Sequence, residues 1–248
     1  MLQPFFPKWS NLLRPALGLA GIITPVYAII ILNFGFTPKT TDVGYEPEQP
    51  LAYSHAVHAG ELGLNCEYCH FTVTRPGVGH SAVPPTETCM NCHHQIKRGS
   101  TTGPEVDSPQ IAAVIHSYET GKPIEWVRVH DLPDYAFFNH SAHVNVRASA
   151  DKTGADGVAI GCESCHGAID TMPHVYQAKE LSMSWCLDCH RRPYDHLRPA
   201  SELTNMHYFA DLAKAHAEGK GKSQQEIGKE LQERWSIAPS QDCSTCHR

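Results

Sequence analysis

Beyond residue 36 this 248-residue chain has no long apolar run, so much of its 41% apolar content sits in one N-terminal segment. A chain patterned that way builds only a thin protein core by itself. It has no basic excess either. Twenty Lys and Arg stand against 26 Asp and Glu, for a net charge of -6, and no basic stripe appears. Phosphate-backbone binding needs a basic face, so nucleic acid is excluded as a partner. No dinucleotide fingerprint is present, and no Ser-His-Asp set has local motif support. Gly219-Lys220-Gly221-Lys222-Ser223 looks like the end of a phosphate loop, but the full pattern needs Gly where His216 stands, and no strand precedes it. It reads as a charged, flexible turn. There is also no spare cysteine. All ten stand in Cys-x-x-Cys pairs, which leaves none for a disulfide or a nucleophile.

What the chain does have is His directly behind each of those pairs. The five motifs are Cys66-Glu67-Tyr68-Cys69-His70, Cys89-Met90-Asn91-Cys92-His93, Cys162-Glu163-Ser164-Cys165-His166, Cys186-Leu187-Asp188-Cys189-His190 and Cys243-Ser244-Thr245-Cys246-His247. Cys-x-x-Cys-His is the attachment signature of c-type haem. The two thiols add across the haem vinyl groups, and the adjacent His lies under the ring and binds the iron. His occupies 17 of 248 positions, so finding it behind all five pairs by chance has a probability on the order of one in a million. The rival is zinc, since two Cys-x-x-Cys pairs make a four-thiolate site. Five pairs is an odd number for that, and zinc does not require the following His. The expected cofactors are therefore five covalent haem c groups, which supply the apolar interior that the protein lacks.

An iron held this way needs a sixth ligand. Tyr53-Ser54-His55-Ala56-Val57-His58 precedes the first two motifs, and Phe138-Asn139-His140-Ser141-Ala142-His143 precedes the next two. Within the two units the motifs start 23 and 24 residues apart. This is an internal duplication, each copy organising a haem pair. His at i and i+3 leaves a helical turn on one face, close enough to serve two neighbouring irons. His55, His58, His140 and His143 are thus expected as sixth ligands, with no catalytic residue elsewhere. For the fifth iron His130 is expected, with Asp131 beside it as an orienting acceptor. His80, His174 and His207 are alternatives, as are Met172, Met183 and Met206, because Met also ligates haem iron.

From Pro15 to Phe36 there are 22 uncharged residues, enough to cross a bilayer core. Pro25 kinks such a helix without forbidding it. The run is longer than the apolar region of a cleaved signal peptide and no Ala-x-Ala site follows, so an uncleaved anchor is expected. Lys8 and Arg14 precede it and Lys39 follows it. Haem is attached outside the cytoplasmic membrane, which places residues 1–14 in the cytoplasm. A linker at 37–52 then leads to an extracytoplasmic cytochrome domain at 53–248. Haem pairs occupy 53–98 and 138–192, and the fifth haem lies at 243–247.

The fold expected is mainly α with much irregular structure. Ser108-Pro109 offers an N-cap and a proline at N1, and Ile111, Val114, Ile115 and Tyr118 form a stripe closed by Gly121. His116 lies off that stripe, a surface position. Residues 201–217 read as helical. Ser223-x-x-Glu226 is a capping box leading into Ile227, Leu231 and Trp235.

The segment Trp126–His143, with His130-Asp131-Leu132-Pro133-Asp134, followed by Leu181–Pro193 around Trp185-Cys186, resembles the pentahaem subunit of alternative complex III, a bacterial quinol oxidoreductase. The haem-pair units are also similar to class III multihaem cytochromes. The first resemblance implies that quinol is oxidised in a separate polytopic membrane subunit. Electrons then pass through an iron–sulfur subunit into this chain, and on to a monohaem subunit, a soluble carrier or an oxidase. One alternative is a multihaem reductase of an oxyanion such as nitrite, which needs an open sixth site, often marked by Cys-x-x-Cys-Lys. All five motifs here end in His, which favours a relay. Another is a stand-alone anchored quinol dehydrogenase, or a subunit of a related menaquinol reductase. A single helix without an internal charge offers no proton-handling group for quinol.

Overall fold

The computed structural model describes residues 7–75, 83–99, 106–144 and 156–247. His80 lies outside these. A 3-10 turn, Lys8–Leu12, leads into a helix at Leu13–Phe34. It begins two residues before the expected span and ends two residues short of Phe36, where the Gly35 N–H closes on the Ile31 carbonyl at 2.7 Å. Pro25 lies inside it and Asn33 returns its amide to the Ile29 carbonyl, so the one polar side chain near its end is satisfied internally. Apolar on all sides between Pro15 and Leu32 and buried by none of the described residues, it is long and apolar enough to cross a membrane.

The rest is mainly helical, in short pieces. Three motifs form single turns, at Cys66–Cys69, Glu163–His166 and Cys243–Cys246, and two sit on longer helices, Thr86–His93 and Met183–Arg191. The helical turn suits the chemistry, because it puts both thiols on one side and brings His round beneath them. The His70, His166 and His247 N–H groups close these turns on the carbonyls of Cys66, Cys162 and Cys243. Asn65 caps the first of these turns, accepting from Glu67, and Ser182 caps the longer helix Met183–Arg191, accepting from Trp185.

Protein core is sparse, as the composition implies. One cluster gathers Leu51, Met90 and Val114 beneath Ile115, Ile124 and Trp126. The other gathers Val158, Leu197 and Leu231 against Ile160, Ile227, Trp235 and Ile237. Under the second lies an antiparallel strand pair, Val158–Ile160 with Leu197–Pro199, in the register Val158 to Pro199, Ala159 to Arg198 and Ile160 to Leu197. The helices expected from their caps are present. Pro109–Thr120 carries the Ser108 cap and a left-handed Gly121, and Gln224–Trp235 carries both halves of the capping box. Replacing Ser223 by alanine is expected to cost about 1 kcal/mol, read as a shift in the thermal melt. A change of under about 0.3 kcal/mol removes the cap from the account.

Residues 201–217 are not one helix. A 3-10 turn at Ala200–Glu202 is followed by an irregular stretch, and the helix starts only at Tyr208. The Glu202 and Asn205 carbonyls turn inward to the Arg198 guanidinium at 3.2 and 3.1 Å, which takes them out of a helical ladder. Arg198 is fully buried, ion-paired with Glu163, and lies in the corner formed by the edge-on rings of Tyr208 and Phe209, 4.5 and 4.6 Å from their centroids. The linker also lies along the body. Gly44 and Tyr45 exchange backbone bonds with Gln177, Glu46 meets His174 at 3.3 Å, and the Gln49 amide bonds both backbone groups of Val127.

Candidate haem sites

An imidazole Nε2 lies about 2.0 Å from a bound metal and about 1.1 Å from its own ring centroid, so two imidazoles on opposite faces of one iron have centroids about 6.2 Å apart. Among the described residues, four His pairs stand at that spacing. His55 faces His70 at 6.3 Å, His58 faces His93 at 6.2 Å, His140 faces His166 at 6.3 Å, and His143 faces His190 at 6.2 Å. In each unit the first His of the turn meets the first motif and the second His meets the second. No local pattern in the chain specifies that order, because it arises only when the turn folds back over both motifs.

Backbone carbonyls aim four of these eight rings, and that of His247 as well. The Nδ1 of His58 and of His143 lies 2.9 Å from the carbonyl four residues earlier, Ser54 and Asn139. The Nδ1 of His93 meets the Ile96 carbonyl, that of His190 the Ser240 carbonyl, and that of His247 the Tyr135 carbonyl, at 2.9, 2.6 and 3.2 Å. A proton donated from Nδ1 leaves Nε2 as the lone-pair donor, the tautomer that a metal needs. Burial favours the same neutral form. It pushes His55 down to about 4, with His70 and His58 adding to the shift. His166 falls to about 3 by burial, with smaller contributions from His130, His140, His70 and His55.

Those contributions also show which motifs are neighbours. Burial raises the Cys69 thiol and Cys89 and Cys92 add to it, so the first motif adjoins the second. Cys66 and Cys162 share a hydrogen bond that holds Cys66 near 7 and pushes Cys162 up, which joins the first motif to the third. Burial lifts Cys165 to about 12, with Cys189 and Cys186 adding to it. Cys186 in turn is raised by burial and then by Cys246. The neighbouring pairs are thus second with first, first with third, third with fourth and fourth with fifth. At the joint between the duplicated units the Ala56 N–H bonds the Met172 carbonyl at 3.0 Å, and a Cβ on Gly60 would lie 2.3 Å from the Asp170 carbonyl oxygen. Only glycine permits that approach.

The residues present suit haem. Among the described residues, buried polar atoms with no hydrogen-bond partner include His55 Nδ1 and His130 Nε2, whose rings face His70 and His166, Glu163 Oε2 and Ser164 Oγ inside the third motif, and Asp170 Oδ1 at that joint. Protein interiors strand few such atoms, so their concentration marks an interior that protein alone does not complete. No three or more His, Cys, Asp or Glu among the described residues converge as a metal cluster, whereas a four-thiolate zinc site requires one.

The fifth motif is held differently. His247 pairs with Ala136 in an isolated antiparallel bridge, and the Phe137 N–H bonds the Cys246 carbonyl at 2.7 Å. Its ring lies 5.8 Å from that of Tyr135. His130, expected over the fifth iron, is seated edge-on to His166 at 4.5 Å, where burial and then His140 lower its pKa. Asp131 is engaged by Arg128 at 2.7 Å. The other candidates are placed as follows. His174 pairs with Glu46, and His207 with Asp170 at 3.1 Å. Met172 is buried, Met183 is exposed and Met206 is half-buried. The sequence reading gave no role to Arg198 or Glu163. The one available signal was a charged residue between Leu197 and Pro199, in a strand whose both faces are buried.

No protein-family model matches the chain. It is similar to the protein named "Menaquinone reductase, multiheme cytochrome c subunit" from Nitratidesulfovibrio vulgaris (strain Hildenborough), with 30% identity over 139 residues. The match covers 56% of this chain and 55% of that protein, so the chain spans about half the length of its relative. The ten cysteines in their motifs, with this likeness, indicate covalently bound haem c.

Proposed function

We propose that the chain is a membrane-anchored pentahaem cytochrome c that relays electrons between a quinone-reactive membrane partner and an acceptor outside the membrane. The observation that carries this is the set of four facing imidazole pairs at 6.2–6.3 Å. When bound, haem supplies a reversible one-electron change at an iron whose geometry barely alters if both axial positions are filled. The protein's part is to fill them. His70, His93, His166, His190 and His247 are the ligands given by the motifs, and His55, His58, His140 and His143 close four of the irons from the other side. The row of motifs, second to fifth, gives the relay two ends and a single internal path. The helix Leu13–Phe34 is the single-pass anchor, with the body on the periplasmic face of the cytoplasmic membrane.

The relative's name favours a place in a quinone-linked complex, and alternative complex III and a menaquinone-reductase assembly both provide one. In the first, this chain depends on a polytopic quinone-binding subunit and an iron–sulfur subunit, and passes electrons on to a monohaem or soluble carrier. Native purification from membranes of the producing organism is the test. Five haem additions by mass spectrometry of the denatured chain are expected, together with co-purifying partner subunits whose identities separate the two assemblies. Four or fewer haems on protein matured in its own host overturn the count. Isolation as a lone chain that oxidises quinol overturns the relay. An oxyanion reductase needs an open iron, and only the fifth site lacks a facing imidazole among the described residues. Nitrite turnover by the purified complex would move the reading to that class.

A further inference from the structure

The two units repeat a ring geometry that the His-to-iron pairing does not itself require. Tyr53 stacks on His58 at 4.5 Å and 25° and stands edge-on to His55 at 4.8 Å and 86°. Phe138 stacks on His143 at 4.6 Å and 27° and stands edge-on to His140 at 4.9 Å and 84°. Both contacts lie in the range where aromatic rings attract in offset-stacked or edge-to-face arrangements. One ring therefore holds two imidazoles in nearly perpendicular planes. The consequence appears opposite each of them. His55 and His140 are almost coplanar in orientation with their partners, at 7° and 6°. His58 and His143 are crossed with theirs, at 62° and 40°.

We propose that the aromatic residue opening each turn is a positioning residue that sets the planes of both sixth-ligand imidazoles, so that each unit holds one parallel-ligand and one crossed-ligand haem. This rests on the haem ligation proposed above. The two imidazoles of a pair are fixed unequally. His58 and His143 are held by the stack and also by their Nδ1 bonds to Ser54 and Asn139. His55 has a buried Nδ1 with no protein partner, so its plane depends on the edge of Tyr53. The hydroxyl of Tyr53 is not what does this, because Phe138 produces the same angles without one.

Ligand planes have a direct readout. In low-spin ferric haem each axial imidazole donates π density perpendicular to its ring. Parallel rings load the same iron d orbital and split it from its partner, which gives an ordinary rhombic resonance. Crossed rings load one orbital each, leave them nearly degenerate and give a strongly anisotropic resonance with a large g maximum. Electron paramagnetic resonance of the oxidised full chain should therefore show two rhombic haems and two with larger g maxima, the 62° pair above the 40° pair. Tyr53→Phe should leave the spectrum unchanged. Tyr53→Leu should shift the rhombic signal of His55/His70 and broaden the large-g signal of His58/His93, leaving the second unit alone. Phe138→Leu should do the converse, so either variant that loads fully suffices. Four haems of one class in the wild type, a Leu variant with an unmoved spectrum, or a Phe variant as altered as the Leu variant each overturn the proposal. High-spin signals from these four haems in the wild type instead overturn the ligation itself.

Discussion

Replacing Arg198 by alanine is expected to destabilise the haem-loaded chain by about 3–5 kcal/mol, the cost typical of breaking a buried ion pair from one side. The loss has several parts. Glu163, 11% exposed, keeps a carboxylate with no counter-charge, and the Glu202 and Asn205 carbonyls lose their donor. Tyr208 and Phe209 also lose the cation that lies over both of their rings. For a body of this size the melt should fall by roughly 10 °C, monitored by circular dichroism in the haem Soret band. The double variant Arg198→Met with Glu163→Leu should recover most of it, because a buried pair replaced whole by apolar volume is often neutral. A single variant within about 1 kcal/mol of the parent would show that Arg198 does not organise this region. Because Glu163 sits inside the third motif, the same bond ties a haem attachment turn to the strand Leu197–Pro199.

The second large effect concerns spin state. His143→Ala should leave one iron with His190 as its sole axial imidazole. That haem is expected to become high-spin when oxidised and to bind carbon monoxide when reduced, with about one fifth of the Soret intensity responding. The other haems should keep their spectra, since the ring contacts of His143 among the described residues are with its own partner His190 and with Phe138, and its Nδ1 bonds the Asn139 carbonyl of its own turn. An unaltered spectrum with no carbon monoxide difference would remove His143 as a ligand. The wild type supplies the control for the fifth site, where a carbon monoxide response would mark an iron without a strong sixth ligand.

What was legible in the chain was whatever is set by local chemistry. Thioether attachment needs two thiols at a fixed short spacing with His beside them, so the motifs could be read without any tertiary information. The capping box at Ser223 and the glycine stop at Gly121 are likewise local. The aromatic-x-His-x-x-His turns were visible as a repeat, but the partner of each imidazole depends on how the turn folds over two distant motifs. His130 was chosen for its nearness in sequence to the second turn, and what that could not show is its neighbours: its ring is seated against His166 while the stretch after it, Tyr135–Phe137, meets the fifth motif. Arg198 was unreadable for a different reason. Its burial depends on Glu163, Glu202, Asn205 and two aromatic rings arriving from separate segments, and no periodicity encodes that meeting.

The bridge between Ala136 and His247 also has a consequence for biosynthesis. Tyr135 and His247, joined through backbone and ring, are 112 positions apart. At about 5–20 residues per second, the ribosome takes about 6–20 s to deliver the second partner after the first. Helical turns form within microseconds, so the Phe138–His143 turn is in place long before the strand that clamps its entrance exists. From residue 190 until residue 243 is made, the second unit has both motifs and both expected sixth ligands but an open flank at Tyr135–Phe137. Closing so long a loop is the late step of maturation, and a chain stalled before residue 243 presents that flank, unpaired, to proteases and to other nascent copies.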